Sequence, residues 1–253
     1  MGQIEVRAIA AYLDGYLRTA EVPDSTGAVN GLQVESDGVV RKVGAAVDAS
    51  ERAIEEAIAR GCDLLLVHHG LFWDGTQPVT GRRYRKLKRL MDANVAVYSS
   101  HVPLDLHPEV GNNVLLARAL GIEVRGGFGD YKGVPIGVWG ELSLKREALA
   151  ARMDELLGGR VRMVAGGPEI VKRVGVVTGS ASELISRAAA EGLDAFVSGE
   201  GPHHSYHDAM EARINVYYGG HYATETFGVK ALAEHVARQF GLEWEFIDLP
   251  TGF

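Results

Sequence analysis

Two adjacent histidines, His68 and His69, end the apolar run Leu64-Leu65-Leu66-Val67 and are followed by Gly70. Imidazole serves as metal ligand, base or proton carrier near neutral pH, so the matching donors elsewhere in the chain decide among these roles. His101 closes a second apolar run, with Asp105 four residues on; His221 closes a third, with Glu225 four residues on. This recurring His-x-x-x-acid pattern predicts that His68, His69, Asp105, His221 and Glu225 meet in one cleft as metal ligands. Five donors exceed the three usual at a single catalytic zinc, so two divalent ions are expected, bridged by Glu225 or Asp105 at about 3.5–4 Å. The mixed nitrogen and oxygen set suits Zn, Fe, Mn or Co. A histidine pair alone is more often packing or surface than ligand; the repeated pattern turns the reading to metal. Neighbouring strand residues point to opposite faces, so joint ligation calls for a backbone turn, which Gly70 eases.

Other chemistry-bearing residues surround this set. "GEGPHHSYHDAMEAR" carries His203, His204 and His207, and Pro202 suits the first turn of a helix that would place His203 and His207 on one face. The readings are pocket wall or proton shuttle, solvated surface, or direct ligand. His101 and His207 are the candidate proton-transfer residues. Glu200 stands at the His69 position of a repeat described below, as an orienter of a ligand or a helix-start acid. The basic run "GRRYRKLKRL" reads as a solvated helix face, with phosphate contact as the alternative. Cys62, Tyr217 and Tyr218 read as packing. P-loop, dinucleotide, HExxH and GxSxG motifs are absent from the sequence.

The elements that must position these residues recur. "KVGAAVDASERAIEEAIARGCDLLLVHHG" from Lys42 aligns without a gap on "RVGVVTGSASELISRAAAEGLDAFVSGEG" from Arg173, at an offset of 131 set by Gly44 and Gly175. "NVAVYSSHVPLD" from Asn94 then matches "INVYYGGHYATE" from Ile214 at an offset of 120 set by His101 and His221. Each half reads as strand, helix, strand, connection, strand, helix. The expectation is an α/β fold of two similar halves from an internal duplication, each a mostly parallel sheet with flanking helices, sharing a cleft. Functional residues of such sheets gather at the carboxyl ends of the strands. The glycine-rich stretch after Arg125 sets the expected boundary, residues 1–126 and 127–253, with a C-terminal segment that returns to the first half.

Composition narrows the partners. A net charge of −7 argues against broad attraction to nucleic acid or anionic membrane. One cysteine rules out an intramolecular disulfide and a cysteine-rich zinc module. The N-terminal stretch has helical spacing with interspersed charge rather than the apolar core of a signal peptide, and no run spans a bilayer. A cytoplasmic protein is expected.

"NGLQV" at Asn30, "VHHGLFW" at Val67, "SSHVPLD" at Ser99, "SGE" at Ser198 and "GGHYATE" at Gly219 resemble, in order, the motifs of the Nif-three-like dinuclear metal centre family, also called GTP cyclohydrolase 1 type 2 homologues. The resemblance spans nearly the whole chain. It implies two α/β domains sharing a dimetal site, ligands at His68, His69, Asp105, His221 and Glu225, His101 as a pocket histidine, and a homohexamer built from dimers. A large insertion that some relatives carry between the halves is missing. The family name implies ring opening of GTP and is taken as a label. Two functions follow. One is a metal-dependent hydrolase acting with activated water on a nucleotide, another heterocycle or a phosphoester. The other is a non-catalytic metal-binding scaffold or regulatory interaction protein, whose melting temperature would fall steeply on chelation.

Overall fold

The computed structural model describes residues 3–73, 75–159 and 161–253. The chain forms two compact units. The first runs to Leu104 and takes in Gly228–Leu249; the second comprises Asp105–Phe227 and Pro250–Phe253. The boundary therefore falls at Leu104/Asp105 rather than near Gly126, and Asp105 belongs to the second unit. Packing explains this. Leu116 and Ala117 of the helix Asn112–Ala119 pack against Val171, Val174 and Val176 of the second sheet, whereas the strand Glu243–Phe246 pairs in parallel with Lys42–Asp48 of the first.

The first unit is built on a five-stranded sheet in the order Glu243–Phe246, Lys42–Asp48, Leu64–His69, Ala96–Ser99, Gly31–Val34. All neighbours are parallel except the last pair. Central parallel strands are covered on both faces, so they read as unbroken apolar runs; Leu64, Leu65 and Leu66 are accordingly buried. The helix Glu51–Ala59 starts where the Ser50 hydroxyl accepts the Ala53 N–H at 3.0 Å. It lays Ala53, Ile54 and Ala57 on Leu65, Val67 and Val97, and the helix Gly81–Asp92 adds Leu87 and Leu90. The buried Cys62 closes this core.

The second unit holds a six-stranded sheet, Glu123–Phe128, Gly137–Lys145, Ile170–Val176, Ala195–Ser198, Asn215–Tyr218, Arg162–Ala165. Its three central strands are parallel and the outer ones antiparallel. Alternation divides the side chains between two cores. Val174, Val176, Val197 and Tyr217 meet Leu149 and Met153 of the helix Arg146–Leu157. Phe196, Val216 and Tyr218 meet Ile185, Ala188 and Ala209 on the other face. Tyr217 and Tyr218 thus pack as expected, their hydroxyls donating to Arg146 O and Ser205 Oγ.

One repeated residue does the same work in both units. The Asp63 carboxylate accepts the Arg41 and Lys42 N–H groups, and Asp194, its counterpart at an offset of 131, accepts those of Lys172 and Arg173. Among the described residues no helix is long and apolar enough to cross a membrane.

Candidate metal centre

In the first unit the donors stand at the carboxyl ends of parallel strands. His68 and His69 end Leu64–His69, and His101 lies just beyond Ala96–Ser99. Their ligand atoms lie within 4.8 Å of one another, and the His68 and His69 rings are 4.7 Å apart between centroids. Gly70 contributes by close approach: a Cβ there would sit 2.4 Å from the Gln33 amide nitrogen and 2.6 Å from Ser99 Oγ.

Each of these imidazoles is held through Nδ1. The fully buried His68 donates from Nδ1 to the Ser100 carbonyl at 2.9 Å. His69 Nδ1 donates to Asp48 Oδ1 at 2.9 Å, across adjacent strands in register, and His101 Nδ1 to Asp24 Oδ1 at 2.8 Å. A carbonyl or carboxylate oxygen only accepts, so Nδ1 is the donor and Nε2 is the ring nitrogen left for another partner. Burial works against the Asp24 carboxylate, but hydrogen bonds from His101, Asn30 and the Ser25 N–H outweigh it and hold its pKa below the usual range. The "NGLQ" residues act here too. Asn30 accepts the His101 N–H at 2.8 Å and donates to Asp24, while Gln33 Oε1 accepts the Leu71 N–H at 2.7 Å, just beyond Gly70. Trp73 donates its indole N–H to the Gly70 carbonyl and sets its ring edge-on to His101 at 4.7 Å.

In the second unit His221 opens the short helix His221–Thr224, and Glu225 follows it. Their i,i+4 spacing brings Nε2 to 3.2 Å from Glu225 Oε2. His221 Nδ1 donates to Glu200 Oε1 at 2.8 Å, so the acid at the His69 repeat position does orient a histidine. Burial opposes the imidazolium, yet the flanking Glu225 and Glu200 carboxylates prevail and raise its pKa to about 9. The proton on Nε2 therefore sits where a cation would. Gly179, at φ +67°, makes room for this pair: a Cβ there would lie 2.2 Å from Glu225 Oε1 and 3.3 Å from His221 Nε2. Asp105 approaches the preceding residue, its Oδ1 accepting from Thr178 Oγ1 at 3.3 Å and from Asn112 Nδ2 at 2.8 Å. Thr178 N–H is fixed by Asn113 Oδ1 at 2.8 Å.

The donor sets fit a borderline divalent metal. Neutral imidazoles with one tautomer enforced by a carboxylate or carbonyl are the usual form of metal-bound histidine, and the His221–Glu225 pair adds a buried carboxylate. His203, His204 and His207 are exposed; His207, in the helix Ser205–Ala212, has its ring contacts with His203 at 5.9 Å and Tyr206 at 5.4 Å. Sequence reasoning did not single out Asp24, Asp48 and Thr178. Asp48 had one available signal, a carboxylate ending the strand next to the histidine strand; its repeat counterpart is Gly179, so the duplication concealed it.

Known proteins were compared with this chain. The family model described as Duf34/NIF3 (NGG1p interacting factor 3) matches residues 4–251. A Deinococcus radiodurans protein named GTP cyclohydrolase 1 type 2 homolog is 42% identical over 253 residues, covering 99% of this chain and 95% of the relative. The protein of that name from Escherichia coli K12 is 40% identical over 239 residues, covering 93% and 94%. The crystal structure of TTHA1606 from Thermus thermophilus superposes with a TM-score of 0.92 at 40% identity, covering 99% of this chain and 100% of the other.

Proposed function

The chain belongs to the Duf34/NIF3 family, and from that premise we propose that it is a dinuclear metal-dependent hydrolase acting on a nucleotide, another heterocycle or a phosphoester. The observation that carries the reading is the Nδ1 hydrogen bond that His68, His69 and His221 each make to an acceptor, which leaves Nε2 as the nitrogen that would face a cation.

The proposal is that His68, His69, Asp105, His221 and Glu225 would hold two divalent ions of the Zn, Fe, Mn or Co class. Bound there, such ions supply Lewis acidity that brings the pKa of water toward neutrality and polarises an electrophilic carbon or phosphorus. The protein's own groups do the rest. Glu200 and Asp48 hold His221 and His69 in register. His101, oriented by Asp24, takes up a proton at Nε2 and returns it to the leaving group. His207, which is exposed, is proposed as a second proton-transfer residue. The homohexamer belongs to the same proposal, and sedimentation equilibrium decides it.

Elemental analysis tests the centre. The wild type should carry about two divalent ions per chain, and His69→Ala combined with Glu225→Ala should lose them. Equal, substoichiometric metal in both proteins would end the dimetal reading. A panel of nucleotides, pterins and phosphoesters with Mn, Zn, Fe and Co then tests hydrolysis; turnover that survives the double substitution would separate the activity from this centre.

A further inference from the structure

The basic helix Gly81–Asp92 is not the uniform solvated face its composition suggests. Arg85 and Arg89 are paired with Glu51, Arg89 also with Glu55, and Lys88 with Asp92. Arg82, Arg83 and Lys86 behave differently: among the described residues none of the three has a carboxylate partner. Arg83 lies over the Phe72 ring, its guanidinium carbon 5.7 Å from the centroid. Lys86 is half-buried and donates from Nζ to the Ala49 carbonyl at 2.7 Å. Ala49 in turn donates its N–H to the His69 carbonyl at 2.8 Å and follows Asp48, the residue that holds the His69 ring. One side of this helix thus reaches the carboxyl end of the first sheet, where His68, His69 and His101 present their nitrogens.

We propose that Lys86 and Arg82 form a cationic subsite beside these histidines that binds a phosphoryl group of the small molecule the protein acts on. The assignment of that molecule as a substrate rests on the metal-centre reading; the anion binding itself does not. Arg82 and Lys86 stand at i and i+4, so their charges share one face and converge on one ligand. An ammonium has three N–H donors; Ala49 takes one, leaving two for oxygens of a ligand. Burial and the neighbouring Arg82 charge both push the Lys86 pKa below its ordinary value, although Glu51 and Asp48 oppose them. An anion between the two cations relieves that repulsion. A phosphoryl dianion matches two positive charges, and guanidinium with ammonium is a pairing suited to it. Arg85, Arg89 and Lys88 have already spent their charge on carboxylates, which is why the same run of residues yields only one such face.

The test is calorimetric titration of the full chain with inorganic phosphate, both after chelation and after reloading with Mn. In both forms Lys86→Met and Arg82→Gln should weaken phosphate at least tenfold, Lys86→Arg should restore most of the affinity, and Lys88→Met should stay within twofold of wild type. Equal affinity of wild type and Lys86→Met in both forms overturns the proposal, and so does a lowered melting temperature as the sole effect, which would make Lys86 a clamp on Ala49. Acetate competing as well as phosphate at matched ionic strength overturns the phosphoryl assignment. Metal content measured on the same samples keeps the two readings apart: phosphate binding that depends on Lys86 in a protein that never takes up metal supports the subsite while removing the dimetal centre.

Discussion

Gly179→Ala isolates the fit between backbone and ligand pair in the second unit. Two costs are written into the position. Its φ of +67° lies in the left-handed region, which costs an alanine about 1–2 kcal/mol. Its Cβ would stand 2.2 Å from Glu225 Oε1, and Glu225 is only 3% exposed, so the carboxylate has to shift within packed surroundings at about 1–3 kcal/mol. The sum is about 2–5 kcal/mol in metal-free protein. In a Glu225→Ala background the 2.2 Å contact is gone, leaving the backbone cost and the milder 3.3 Å approach to His221 Nε2, so the same substitution should cost about 1–2 kcal/mol. The assay is denaturant unfolding of the four proteins of this double-mutant cycle, all in chelator so that metal linkage adds nothing. Gly179→Ala in the otherwise native chain should also weaken Mn and Zn, because the displaced carboxylate is one of the proposed ligands. Equal destabilisation in both backgrounds, with metal affinity unchanged, would refute the reasoning.

Three further outcomes follow from the same geometry. Glu200→Gln should weaken metal about tenfold, the lower end of the range for such supporting groups because Glu200 is 42% exposed; competition with a chromogenic chelator reads it, and an unchanged affinity counts against Glu200 as the orienter of His221. The raised His221 pKa stabilises metal-free protein fully below the unfolded value near 6.5, and this contribution is lost as pH climbs to about 9. Over that window metal uptake should displace one proton from His221, so affinity should rise with pH, and isothermal titration in buffers of different ionisation enthalpy counts the proton. Burial, assisted by Glu245, pushes the Cys62 thiol up to about 11, so iodoacetamide at pH 8 should label it only on unfolding; rapid native labelling would contradict its place in the core.

Legibility differed from residue to residue. Leu64–Val67 ending on His68 and His69 declared a buried parallel strand with donors at its carboxyl end, because unbroken apolar runs of that length occur where both faces are covered. Asp63 and Asp194 were visible as a repeat and proved to hold equivalent backbone groups. The close approach of the Gln33 and Ser99 side chains to Gly70 was not legible, because both partners are distant in the chain. The domain boundary was displaced because the chain trades elements across it, and no local signal at Leu104 reports that the helix Asn112–Ala119 packs on the later sheet. Asp24 escaped notice because it is 77 residues from the His101 ring it holds.

What the sequence determines alone is the kind of chemistry. Residue type sets which atoms donate to a metal, and the strand and helix periods set which of them arrive at strand ends together, both properties readable within a few residues. What only the tertiary structure decides is the state of those donors. The tautomer of each imidazole, the raised pKa of His221, the room that Gly179 leaves for Glu225, and the sorting of Arg82 and Lys86 from Arg85 and Arg89 all depend on partners distant in the chain. They are set by burial and by distances of about 3 Å, which no local pattern encodes.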